Sequence, residues 1–287
     1  MNESAESRKK GIICIIAAAF FFALMNLFIR LSGDVPTMEK SFFRNAVAAV
    51  ISFIMIKRKG ESFRPKEGNL KYLFMRAILG TVGLICNFYA VDHLNISDAS
   101  ALNKLSPFFA ILFSGIILGE KADKFEWLMT AIAFAGAMLV VKPGLSADIF
   151  PAVLGVIGGM SAGAAYTFVR KLGKRGENSL LIILFFSVFS CLAVTPFFIF
   201  DFQPVRGDQL VFLLLTGAAA MGGQFFIVAA YIYAPAKEIS VFDYSQVIFA
   251  AILGRIFLEQ SPDILSFAGY AAIIIAAVMR WRYGIKK

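Results

Sequence analysis

Ten stretches of roughly twenty apolar residues follow one another along the chain, and this limits the fold more than any motif does. An α-helix needs ~20 apolar residues to cross a hydrocarbon core of ~30 Å, and within that core each backbone polar group must bond inside its own segment. On this rule the spans fall at about 11–31, 37–56, 70–91, 97–118, 124–142, 149–169, 178–200, 209–233, 238–258 and 263–281. In the fifth only Trp127 to Val141 is uncharged, so Lys124 and Lys142 must lay their stems along it; without that span the count is nine. The 287 residues are 59% hydrophobic, above the ~45–50% usual in soluble domains. The expected fold class is an all-α polytopic membrane protein with ten transmembrane helices.

Arg8, Lys9 and Lys10 precede the uncharged run Gly11 to Ile29, which has the outline of a secretory signal. The run exceeds the ~7–15 apolar residues of such a signal and no small-x-small cleavage site follows, so it reads as a retained first helix behind a tail at 1–10. The net charge of +9 lies in short basic tracts between spans. That pattern suits anionic headgroups rather than nucleic acid. Alternate connections carry twenty Lys and Arg, among them Lys57, Arg58, Lys59, Arg170, Lys171, Lys174 and Arg175, against Lys40, Lys142 and Arg206 in the others. Both termini are therefore expected in the cytoplasm of a multi-pass protein of the cytoplasmic membrane.

The chain repeats itself. SDASALNKLSPFFAILFSGIILGE at Ser97 to Glu120 returns in degraded form at Ala236 to Glu259, and a shift of 139 pairs Ser106 with Ser245, Gly115 with Gly254 and Glu120 with Glu259. The same shift sets Lys104 on Asp243 and Pro107 on Gln246. LFIRLSG at Leu27 to Gly33 and TFVRKLG at Thr167 to Gly173 extend the repeat with a shift of 140, superposing Arg30 on Arg170. Each copy holds five spans, 11–142 and 149–283, and an odd number makes the second enter from the opposite side: an inverted repeat. Interfacial anchoring is expected of Arg30 and Arg170, with gating as the alternative.

AVDHLNISDASALNKLSPFFAILFSGIILGE at Ala90 to Glu120, with AYIYAPAKEISVFDYSQ at Ala230 to Gln246, resembles the drug/metabolite transporter superfamily, specifically its bacterial EamA type. The resemblance covers nearly the whole chain. It implies a carrier of small organic solutes by alternating access, with the first, third, fourth, sixth, eighth and ninth helices around a central cavity. Lys104 and Asp243 depart from the uncharged residues expected there. VFDYSQ at Val241 to Gln246 also resembles members described as S-adenosylmethionine carriers.

Charges inside a span cost ~2.5–3.5 kcal/mol at a helix centre and usually face a cavity or a partner. Arg44, Arg76 and Arg255 stand within about two turns of a span end, where snorkelling to headgroups is the simpler expectation. Asp243 cannot snorkel, and with Lys104 it is the leading candidate. At ~1.5 Å per residue the two sit at depths some 13 Å apart, so opposite ends of one polar cavity are expected, with a direct pair reached by tilt as the alternative. Asn26, Asn87 and Asn103 fall in the outer half; Tyr166, Gln224, Tyr231 and Gln246 fall in the inner half. Each could equally bond a neighbouring helix. Ser240, Asp243 and Gln246 share one helix face. Gly80, Gly83, Gly217, Gly222 and Gly223 suit close packing, and Pro107 should kink its helix.

Other chemistries find no support. The lone histidine, His93, falls in a short connection, there is no phosphate-binding GxxxxGK[ST], and Cys14, Cys86 and Cys191 are too widely spaced for a metal site and read as core. Asn95-Ile96-Ser97 matches a glycosylation sequon, but Ser97 or Asp98 as helix N-cap is simpler. No cofactor is expected. The expected function is secondary transport of a small amphipathic metabolite, amino-acid-like or cationic, with Asp243 taking a cationic group or proton and Lys104 an anionic one. The alternatives are an S-adenosylmethionine-type carrier or, from another class, an intramembrane enzyme. The partners are the solute and membrane lipid, and a second copy of the chain is left open.

Overall fold

The computed structural model describes residues 2–93, 102–141, 149–200, 202–258 and 264–286, and among these the only regular structure is helical. The helices are α1 (Asn2–Leu31), α2 (Thr37–Lys59), α3 (Leu70–His93), α4 (Ser106–Leu118), α5 (Lys124–Val141), α6 (Ile149–Lys174), α7 (Ser179–Phe200), α8 (Gly207–Tyr233), α9 (Ala236–Asp243), α10 (Ser245–Leu258) and α11 (Ile264–Lys286). The expected cap at Ser97 or Asp98, the sequon at Asn95, Lys142 and Glu259 lie outside the described residues. Among the described residues seven segments are long and apolar enough to cross a membrane, α9 and α10 counting as one, and α4 is a shorter apolar helix. The chain is a polytopic membrane protein.

α1 begins at Asn2, so helix runs through the tail, where Glu6 pairs with Lys10 one turn on at 2.8 Å. One expectation needs correction at a helix end. His93 is the last residue of α3 rather than part of a connection.

The outside of the bundle is apolar, and the polar residues of its spans turn inward among an apolar core. α2 shows the reason most directly, since Ser41, Arg44, Asn45, Ala48, Ser52 and Ile56 recur at three- and four-residue steps and are buried, while Val50, Phe53 and Ile54 face outward. Hydrocarbon around the bundle cannot bond polar groups, so they turn inward. Asn45 donates to the Ser41 carbonyl, Ser52 to that of Ala48, and Thr81 pairs with Ser190 across α3 and α7 at 2.7 Å.

The main helix pairings join the two halves of the chain: α1 with α8, α3 with α6, α2 with α7 and α5 with α11. Ser7 Oγ donates to the Tyr233 carbonyl, and Arg280 Nε to that of Lys237. Both chain ends therefore sit on one face of the bundle, the terminal face. Glycines let backbones approach where these helices cross, as expected of Gly83. A Cβ there would stand 3.2 Å from the Gly158 carbonyl oxygen and the Ala162 nitrogen on α6. Gly217, Gly222 and Gly223 on α8 meet the side chains of Val47, Phe21 and Phe22 in the same way.

A crossing that sets a backbone against a glycine makes a prediction. At Gly163 on α6 a Cβ would lie 2.6 Å from Phe109 Cβ, 2.7 Å from Ala110 N and 2.8 Å from Ser106 O, so α4 itself would have to move. At Gly115 the nearest atom is 3.9 Å away. Gly163→Ala should cost about 1–3 kcal/mol, whereas Gly115→Ala should be neutral or gain up to ~1 kcal/mol of helix propensity. Melting of the two purified variants in detergent checks the contrast.

Candidate substrate site

Two helices are broken at mid-bundle, at equivalent points of the repeat. Lys104 and Leu105 form a turn before α4, and Tyr244 interrupts the run between α9 and α10; a shift of 139 sets Leu105 on Tyr244. Pro107 is therefore not a mid-helix kink. It stands in the first turn of α4, where its missing N–H costs nothing.

The breaks touch. Lys104 Nζ donates to Gln246 Oε1 at 2.6 Å and lies 3.7 Å from Asp243 Oδ2, while the Tyr244 hydroxyl donates to the Lys104 carbonyl at 3.0 Å. Lys104 is 6% exposed and Asp243 8%. The expected 13 Å separation is thus corrected to direct contact. Depth along two parallel helices was the wrong measure: the long lysine stem reaches Asp243 and Gln246, and the Tyr244 hydroxyl reaches the Lys104 carbonyl. Ser240 on the same face is fully buried.

The other expected site residues divide into four places. Tyr166 and Tyr231 stack, with ring centroids 4.9 Å apart. Asn103 Nδ2 donates to Asn87 Oδ1 at 2.9 Å, joining the turn before α4 to α3. Gln224 accepts from Arg76 Nη2 at 3.1 Å. Asn26 is exposed on α1, with no contact that ties it to the central pair. Cys14, Cys86 and Cys191 are half-buried free thiols.

Arg44 and Arg76 do not snorkel. They are 5% and 2% exposed, each pointing into the bundle. Arg44 donates to Asn45 Oδ1 at 2.9 Å and to Met25 Sδ at 3.3 Å, and the Arg76 guanidinium lies 4.1 Å over the Phe186 ring. Nearness to a helix end had decided the expectation, but the face of the helix decides the outcome. Arg255, by contrast, is exposed, as is Arg30.

Arg170 is corrected in the same way, from anchor to cross-link. Gly119, at φ +69, ends α4 in the left-handed conformation open to glycine and turns Glu120 towards α6. Glu120 Oε1 there meets Lys174 at 2.6 Å and Arg170 at 3.2 Å, and Ser114 donates to Oε2 at 3.0 Å. Arg170 Nη1 also donates to the carbonyls of Ile232 at 2.6 Å and Tyr231 at 3.3 Å. The end of α4, α6 and the end of α8 are therefore tied together on the terminal face. Nearby, Arg280 and Glu126 form a buried pair at 2.8 Å, joining α11 to α5. An open groove of about 470 Å³ on the opposite face, between Gly33, Asp34, Lys40 and Gln203, holds none of these side chains.

Sequence reasoning used Glu120 only as a repeat marker and passed over Tyr244. A usable signal was present for the first. Charge counting had already set the Glu120 connection and Arg170 on one side of the membrane, where an acid beside two bases is a cross-link in waiting.

The EamA-like transporter family matches the chain twice, over residues 9–142 and 149–281. The chain belongs to that family, within the drug/metabolite transporter superfamily. It is 30% identical over 273 residues to the pseudopaline exporter CntI of Pseudomonas aeruginosa, spanning 94% of this chain and 95% of the exporter. It is 26% identical to a riboflavin transporter of Vibrio cholerae, over 97% of this chain and 95% of that one. Solute carrier family 35 member G1 of Mus musculus is 27% identical, over 98% of this chain and 83% of the carrier. A crystal structure at 14% identity matches 94% of the chain with a TM-score of 0.77, so the two share a fold. The protein is a membrane transporter.

The terminal-face cross-link makes a prediction about pH. Partial burial alone would raise the Glu120 carboxyl, but the Lys174 hydrogen bond, the Arg170 charge and the Ser114 hydrogen bond outweigh it and hold it below the ordinary 4.5. A depressed carboxylate stabilises the fold above its ordinary value, and that share is lost as pH falls through the lowered one. Glu120→Gln should therefore melt earlier than the parent at pH 7, and the gap should close as pH falls below 4.5. Melting profiles of both proteins between pH 7 and mild acid check this.

Proposed function

We propose that this chain is a secondary transporter that moves a small amphipathic metabolite of amino-acid-like character across the cytoplasmic membrane by alternating access. In this reading ten transmembrane helices form two inverted five-helix repeats, 11–142 and 149–283, with both termini cytoplasmic. The helix break recurring at Leu105 and Tyr244 supports the repeat. So do the pairings of α1 with α8 and α3 with α6, in which the first helix of each half meets the third of the other.

The observation that carries the reading is the buried contact of Lys104 with Asp243 and Gln246 where both helices break. Half-helix ends at mid-membrane leave backbone groups and charges able to meet a solute, which is why many secondary transporters bind there. A solute ammonium takes Asp243 while its carboxylate takes Lys104 and the Gln246 amide donates to it. One ion pair becomes two, and the charge of the core is unchanged, so the exchange avoids leaving a bare charge in low dielectric. A purely cationic solute would instead add charge to a core where Lys104, Arg44 and Arg76 already outnumber Asp243. Tyr166, Tyr231 and Gln224 wall the site, with Asn26, Asn87 and Asn103 towards the opposite face. The Glu120–Arg170–Lys174 cross-link acts as the cytoplasmic gate.

Two measurements test this. Single cysteines at Lys59 and Arg175 should react with an impermeant maleimide only from the cytoplasmic side, and ones at Asp34 and Asp208 only from outside. Labelling of all four from one side removes the inverted repeat. Asp243→Asn should fold yet lose at least tenfold in solute flux into sealed vesicles, a loss of ~1.4 kcal/mol or more of coupling. The double variant Lys104→Met/Asp243→Asn should recover stability but not flux. Parental flux in either variant means the pair is only structural.

A further inference from the structure

Three cationic side chains are buried in the middle of this bundle, and one of them has a carboxylate. Lys104 has Asp243. Arg44 and Arg76, on α2 and α3, have none within salt-bridge distance among the described residues, although both are more than nine-tenths buried. Their partners are neutral and weak: an amide oxygen and a thioether for Arg44, an amide oxygen and the Phe186 ring for Arg76. Arg76 Nε, buried, has no hydrogen-bond partner at all. Glu39, the buried acid on α2, lies more than one turn from Arg44 along the helix and accepts from the Gln203 backbone instead.

An unpaired guanidinium is among the costliest groups to keep away from water, and arginine's planar fork favours carboxylate and phosphate oxygens. The fold also makes room for one of these charges. Gly80 has no side chain where a Cβ would stand 2.1 Å from Arg76 Nη1, so the guanidinium can fold back along α3 into the interior. α2 and α3, which carry the two arginines, both pack against α7. Arg76 also reaches Gln224 on α8, the helix that carries Tyr231, whose ring stacks on Tyr166.

We propose that Arg44 and Arg76 form an oxyanion subsite, so that the solute carries, beside the groups read by Lys104 and Asp243, at least one further carboxylate or phosphate. This rests on the transport reading above and narrows it: the solute is acidic overall. One further negative charge on the ligand compensates a core that is otherwise cationic, and the Arg76 Nε–H gains its missing acceptor.

The test uses the purified full-length protein in detergent and in sealed vesicles, with glutamate, succinate and citrate as carboxylate probes, glycerol phosphate as the phosphate probe, and lysine and choline as cationic controls. At a hundredfold excess over Kd a bound probe should raise Tm by roughly 5–10 °C. At least one oxyanion should do so and neither cation should. Arg44→Gln and Arg76→Gln should each lose the shift while remaining monodisperse on size exclusion, and Arg76→Lys should restore part of it. Should a glutamine variant fail to fold, the lysine variants Arg44→Lys and Arg76→Lys carry the test by a weakened shift. The class of oxyanion that binds tells carboxylate from phosphate. Stabilisation by the cations alone, by no probe, or by oxyanions equally in the parent and the arginine variants overturns the subsite. Flux separates the two proposals. Transport confined to neutral or cationic solutes leaves the transporter and removes the subsite, whereas arginine-dependent binding without flux does the reverse.

Discussion

A lysine and an aspartate buried side by side inside a hydrocarbon-facing bundle hold each other in place, and much of the interior is arranged around that contact. Either charge alone would be costly there. Together, with Gln246 on the ammonium and the Tyr244 hydroxyl on the Lys104 carbonyl, they are tolerable. The helices that carry the two charges are locally irregular beside the contact, at Lys104–Leu105 and at Tyr244. A place that can exchange one set of polar partners for another is the minimum that a transporter of polar solutes requires.

The terminal face is cross-linked by a second electrostatic arrangement. Glu120, Arg170 and Lys174 lie near the edge of the bundle, partly within reach of water, and Lys174 is 44% exposed. Glu120 and Arg170 are nearly as enclosed as the central pair, at 12% and 13% side-chain exposure against 12% for Asp243 and 7% for Lys104, so the exposed Lys174 is what sets this cross-link apart. Glycine-lined crossings between α3, α4 and α6 let whole helices bear directly on one another.

Much of this was legible in the sequence. Apolar runs placed the helices because the bilayer fixes their length, and the 139-residue shift pointed to Lys104 and Asp243 because a charge inside a repeated apolar segment is hard to miss. What could not be read was which face each residue takes and where a helix stops. Arg44 and Arg76 look like anchors when judged by distance from a helix end, and become interior only once it is seen which faces α2 and α3 bury. Lys104 and Asp243 look far apart by depth alone, yet the Lys104 ammonium reaches Asp243, beside local irregularities at Leu105 and Tyr244. Neither turn is marked by a glycine; Pro107, two residues beyond the first, was the sole local hint and was read as a kink. Glu120 was visible as a residue but not as a cross-link, since its partners come from the other half of the chain.

The central claim is that the bundle alternates about the Lys104–Asp243 contact, with the Glu120 cross-link opening when the solute engages. Spin labels at Lys121 and Lys171, on the two sides of that cross-link, would report this as a distance distribution by double electron–electron resonance in lipid nanodiscs. The account predicts two populations, a short one as in this structure and a longer one, whose ratio changes when a transported solute is added. A single distance that no transported solute alters would contradict it.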